Sequence, residues 1–167
     1  MSRRQPIAAG EQGAATIEFA LLTLFFFLCA LVALDFASYF VQRSQLAAAV
    51  SAGSISAFTN RSTVPFQTLP AYIQNAAHLS DPPQISVSCN GTVNGCVNTG
   101  RSCACLSTTG SYVSAACGSS CPAGNTSGST AGYYLQITAS SRYRAVVLPR
   151  GMLNGTPIVQ SVAVRLQ

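Results

Sequence analysis

The chain has 167 residues, a net charge of +5 and a charged fraction of only 8%, with seven Cys, no Trp and no Lys. That length holds one modest domain, and so hydrophobic a composition excludes a disordered acidic or basic tail. Seven Cys in so short a chain point away from a reducing compartment, and the lack of Lys excludes a Walker A phosphate loop.

Arg3 and Arg4 open the sequence, and Pro6, Gly10, Glu11 and Gly13 follow. From Phe19 to Leu34 no residue is charged; Asp35 interrupts, and Phe36 to Val41 resumes the apolar run. As a helix, Phe19–Val41 extends about 34 Å, enough to cross a bilayer core of about 30 Å. A buried core helix is the alternative, but Phe and Leu surround this one and a small domain has too little else to cover them. Basic residues ahead of the span place the N-terminus in the cytoplasm and the rest of the chain outside, with six of the seven Cys. Cys29 falls within the span and reads as a small packing residue. A cleaved secretory signal would also use Arg3, Arg4, an apolar run and the small residues Ala47, Ala48 and Ala49. Its apolar core, however, is about 7–15 residues long and begins close to the basic residues.

Glu18 stands at the head of the span. A carboxylate carried to the bilayer centre costs ~2.5–3.5 kcal/mol. Complementing the helix dipole in the first turn is one reason for such a residue, and a functional partner is another.

Beyond the span, Val41 to Phe58 lacks Pro, and Phe40, Leu46, Val50, Ile55 and Phe58 form a rough helical stripe that predicts contact with a head. Thr59, Asn60 and Pro65 end this helix. A second helix is predicted over Pro70–Leu79, with Thr68 as its cap and Asp81-Pro82-Pro83 as its stop. Gln84 to Ser88 alternates like a strand.

Of the 44 residues from Cys89 to Gly132, 26 are Gly, Ser, Thr or Asn, too few apolar groups to offset the entropy of ordering. Cys89, Cys96, Cys103, Cys105, Cys117 and Cys121 all lie here, and three disulfides are expected in one of 15 connectivities. Cys103 and Cys105 are too close in sequence to bridge each other. Zinc is the competing reading, but only Cys117 and Cys121 have ligand-like spacing and no His is near. Tyr133 to Leu148 then alternates like a strand, Pro149 to Pro157 connects, and Ile158 to Leu166 alternates again.

The string from Gly13 to Phe19 (GAATIEF), between a basic leader and an apolar helix, resembles the class III signal of type IV pilin-like proteins. With Leu31 to Phe40 (LVALDFASYF), Gln45 to Gly53 (QLAAAVSAG) and a closing Ile158 to Leu166 (IVQSVAVRL), it looks like the TadE/TadF-type pseudopilins of tight-adherence pilus systems. The resemblance implies cleavage between Gly13 and Ala14 by a prepilin peptidase, which makes Glu18 the fifth mature residue. It also implies a single-pass protein of the bacterial inner membrane whose head faces the periplasm or the exterior. The implied partners are prepilin peptidase, other pilins, the pilus assembly machinery and membrane lipid. No nucleic acid and no cofactor are expected. Glu18 and Asp35 are the residues expected to govern docking of helices in the membrane.

Catalytic patterns are lacking: there is no GxGxxG, HExxH or GxSxG. His78, Ser80 and Asp81 are neighbours in sequence, but a triad is assembled by a fold rather than by adjacency, so they read as a surface helix end. Arg142, Arg144, Arg150 and Arg165 gather near the C-terminus and read as a solvated basic face, with attraction to acidic surfaces as the weaker alternative.

These readings predict an α+β, pilin-like architecture. Residues 1–13 form the leader, and 14–58 a long helix whose transmembrane part is about 19–41. Residues 59–167 form a small antiparallel β head, stapled by disulfides in a Cys-rich insertion at 89–132. The predicted function is non-enzymatic: a pseudopilin or minor pilin. A stand-alone membrane-anchored or secreted Cys-rich adhesion module is the alternative.

Overall fold

Helix α1 runs unbroken from Glu11 to Thr59 in the computed structural model, which describes residues 11–125, 128–148 and 153–167. Arg3, Arg4 and Arg150 lie outside the described residues. With 49 residues, rich in Ala and Leu and free of Pro, the helix is about 74 Å long. Its last carbonyls find side-chain donors: Thr59 Oγ1 donates to Ile55 O at 2.9 Å and Asn60 Nδ2 to Ser56 O at 3.0 Å.

The helix has two environments. Up to Leu34 its large residues face outward on all sides, with Phe19, Phe26 and Leu34 each more than half exposed. From Asp35 onward one face is covered by a head. Asp35, Tyr39, Leu46, Ala49, Val50, Gly53, Ser54 and Ala57 make that face, at steps of three and four residues. The predicted stripe was half right. Leu46 and Val50 are buried, but Phe40, Ile55 and Phe58 point away from the head. The contact face is made largely of small residues, because small residues let a second helix and a sheet come close.

That second helix, α2, spans Leu69–Ala77 and buries Leu69, Ile73 and Ala77. Thr68 does not cap it as expected; its hydroxyl donates to Pro65 O at 3.3 Å instead. The helix also stops before Leu79, because His78 adopts a left-handed backbone with φ 49°.

The main sheet contains β1 (Gln84–Cys89), β2 (Thr92–Val93), β5 (Tyr134–Arg142) and β6 (Pro157–Arg165), in the order β2-β1-β5-β6 and antiparallel throughout. Leu135, Ile137 and Ala139 of β5 are fully buried and form the core with α1 and α2. The strand predicted over Tyr133 to Leu148 ends at Arg142, since the following backbone leaves the sheet for α1.

Because Cys89 is paired with Leu135, the Cys-rich segment is a long excursion between two neighbouring strands. Asn90 closes its neck, with Asn90 Nδ2 donating to Ser102 O at 2.6 Å and the Tyr134 N–H donating to Asn90 Oδ1 at 2.9 Å. The segment is more ordered than its composition suggests. A hairpin of β3 (Cys103–Leu106) and β4 (Tyr112–Ala115) forms within it, around a small core of Cys103, Cys105 and Ala131. Three disulfides staple it: Cys89–Cys96, Cys103–Cys117 and Cys105–Cys121. The insertion is also tied to the end of α1. Asn98 exchanges two hydrogen bonds of 3.0 Å with the Val64 backbone, and Arg101 donates to Arg61 O at 2.6 Å while its guanidinium covers the Tyr133 ring.

Two substitutions test this packing. A methyl group at Gly53 would sit 2.6 Å from Ile73 Cγ1, and Ile73 is fully buried. Gly53→Ala is therefore expected to destabilise the head by about 1–3 kcal/mol, seen as a lower midpoint of thermal unfolding in detergent. Replacing Cys105 and Cys121 together by Ala is expected to cost about 3 kcal/mol, read in the same way.

Candidate functional site: the apolar helix and its junction with the head

Gly13 and Ala14 lie on a continuous helix and are exposed. Glu18 lies one turn after Ala14, is exposed, and makes no hydrogen bond or ion pair among the described residues. By contrast, the hydroxyl of Thr23 is satisfied along the helix, donating to Phe19 O at 2.8 Å.

Asp35 is 2% exposed and is held by the head of its own chain. The Val146 N–H donates to Oδ1 at 2.9 Å, and the Val147 and Leu148 N–H groups donate to Oδ2 at 2.9 and 2.8 Å. Three successive amides thus cradle one carboxylate, an arrangement that suits an anion. Beside it, the Tyr143 hydroxyl donates to the Asp35 carbonyl at 2.7 Å, and the Tyr143 ring meets Tyr39 edge to face at 5.5 Å. Burial, then the Asp35 carboxylate, push the Tyr143 phenol above its usual range. The backbone cannot continue β5 and also reach α1, which explains why the strand stops at Arg142.

Among the described residues no other predicted group forms a reactive cluster. The six outer Cys have their sulfurs joined in disulfides, which removes them as zinc ligands. Cys29 is free and exposed on the apolar helix. Asp81 does not face His78 and Ser80 as part of a triad; it accepts from Arg144 Nε at 2.9 Å in an exposed ion pair. That pair borders an open cavity of about 790 Å³ lined also by Gln84, Arg142 and Asn154. Among the described basic residues, Arg142 and Arg165 lie on the same outer face of the sheet but at opposite ends of it. Arg142 is at one end of β5, while Arg165 is level with Tyr134 at the other and bonds Gln167 O and Thr130 Oγ1.

One helix here is long and apolar enough to cross a membrane, and its most apolar stretch is wholly uncovered by the head. Residues 13–54 match the family model described as TadE-like protein. Over this part of α1 the chain is similar to TadE-like proteins. The match includes Gly13, Glu18 and Asp35 and ends within α1, before the head. No curated protein and no solved structure gives a significant match. That likeness suggests a Tad pilus system.

Sequence reasoning reached Asp35 but not its partners. The visible signal was an acid interrupting an apolar run, which requires a partner. Nothing in Val146-Val147-Leu148 marks those residues as donors, because the donating groups are backbone amides. Asp35→Asn keeps the size of the side chain but replaces one acceptor with a donor facing amides. Hydrogen exchange at Val146–Leu148 is expected to quicken roughly tenfold or more, while amides of β1 stay protected.

Proposed function

We propose that this protein is a minor pilin or pseudopilin of a tight-adherence pilus system, cut after Gly13 by prepilin peptidase and anchored by α1. The observation that carries this reading is the uncovered apolar stretch from Gly13 to Leu34 with Glu18 inside it, lying within the TadE-like match. Arg3 and Arg4 hold the N-terminus in the cytoplasm of the inner membrane, and the head lies outside. Cleavage releases an α-amine on Ala14, positive below a pKa of about 8. Glu18 is four residues on, where its carboxylate can meet that amine or the amine of a neighbouring subunit. Either pairing offsets the cost of a carboxylate in an apolar surrounding. The uncovered sides of α1 then pack against other pilin helices, at the pilus base, tip or assembly complex, while the stapled head faces outward.

The mature N-terminus tests the processing step. Sequencing the protein from cells with prepilin peptidase is expected to begin at Ala14, and from cells lacking the enzyme to retain the leader. An intact Met1 in both, or a start near Ala49–Val50, would overturn it. For the assembly step, Glu18→Ala is expected to leave cleavage in place and abolish incorporation with other pilus components. Unchanged assembly would remove the role given to Glu18.

A further inference from the structure

We propose that the segment Val146–Val147 of the head rests on the lipid surface around α1, so that the head is seated on the membrane rather than held clear of it. This rests on the reading of α1 as a membrane span. Three observations place the segment there. Gly13–Leu34 holds no buried residue, with only Thr23, Ala30 and Val32 partly covered, and measures about 33 Å as a helix, the thickness of one bilayer core. Asp35, the next residue, is where the head first covers the helix. The amides of Val146 and Val147 are bonded to that same carboxylate at 2.9 Å, which fixes them at the end of the uncovered stretch.

The chemistry of the segment suits that level. Val146 is 88% exposed and Val147 42% exposed, and neither side chain is needed for the bonds to Asp35, which use the backbone. On faces of α1 not covered by the head, Phe36 and Phe40 are exposed just above the same height, and Arg43 follows. Aromatic residues at this level suit a helix that leaves a bilayer there. Arg142 and Arg144 precede the valines on the head side, and Arg144 is paired there with Asp81. The apolar band at this height therefore continues from the helix onto the head.

The absence of Trp from the chain makes the test direct, because one introduced indole reports alone. The full chain would be reconstituted in phosphatidylcholine nanodiscs carrying a nitroxide either high or deep on the acyl chain. Val146→Trp and, as a second probe, Val147→Trp are expected to emit at shorter wavelength than Val93→Trp and to be quenched most by the shallow nitroxide. Val93 serves as the reference because it is 59% exposed on β2, which pairs with β1 opposite the start of β5, whereas the valines follow its end. Phe26→Trp checks the span itself and is expected to be quenched most by the deep nitroxide. If Phe26→Trp is quenched while both valine variants match Val93→Trp, the seating of the head is wrong and the span stands. If Phe26→Trp is not quenched, the span reading fails first.

Discussion

The structure turns on one carboxylate. Asp35 interrupts the apolar run of α1, and a buried charge without partners is not tolerated. Its partners are the three amides of Val146, Val147 and Leu148, which come from the opposite end of the sequence. Those amides are free to bond it because β5 ends at Arg142 and the chain turns toward α1. The Tyr143 hydroxyl on the Asp35 carbonyl and the Tyr143 ring on Tyr39 fix the same junction from a second side. The helix is therefore joined to the head at a defined height and rotation, where apolar contacts alone would permit sliding.

The rest of the helix–head contact follows from that rotation. With Asp35 facing the head, steps of three and four residues bring Tyr39, Leu46, Ala49, Gly53 and Ala57 to the same side. Gly53 is where α2 comes closest, with Ile73 occupying the space that a side chain would take. Phe40, Ile55 and Phe58 are left outside by the same geometry. Reading the stripe from the largest apolar residues therefore picked the wrong side for three of five positions. In this helix a large apolar residue can be exposed, and small residues such as Gly53 and Ala57 mark where another element approaches.

Other parts were legible because they depend on local chemistry. The length and composition of α1 are enough to identify it, and the alternation of Ile158 to Leu166 reports β6 directly. The strand after Tyr133 was overextended because its alternation persists past Arg142, although the backbone there has another partner. Six Cys in a core-poor segment indicate disulfides, but their pairing depends on the β3–β4 hairpin. Cys103 and Cys105, two residues apart on a strand, share one face, so both reach across to a neighbouring stretch that contains Cys117 and Cys121. The hairpin itself was hidden by the abundance of Ser, Thr and Gly. Its small core is built from the half-cystines and Ala131, which hydrophobic patterning scarcely weighs.

Asp35 and Glu18, both on α1, end in opposite situations, and the proposed function follows from the difference. Asp35 has both oxygens engaged by its own chain, so it has little left to offer a neighbouring subunit. Glu18 lies far down the uncovered part of the helix and is unpaired among the described residues. No part of the head reaches it, and in a membrane no water would compensate it. In the proposed role, the partner for that carboxylate is the processed N-terminus of this chain or of another. In the proposed pilin role, Asp35 makes the subunit rigid and Glu18 makes it selective, a division that distance along one helix is enough to produce.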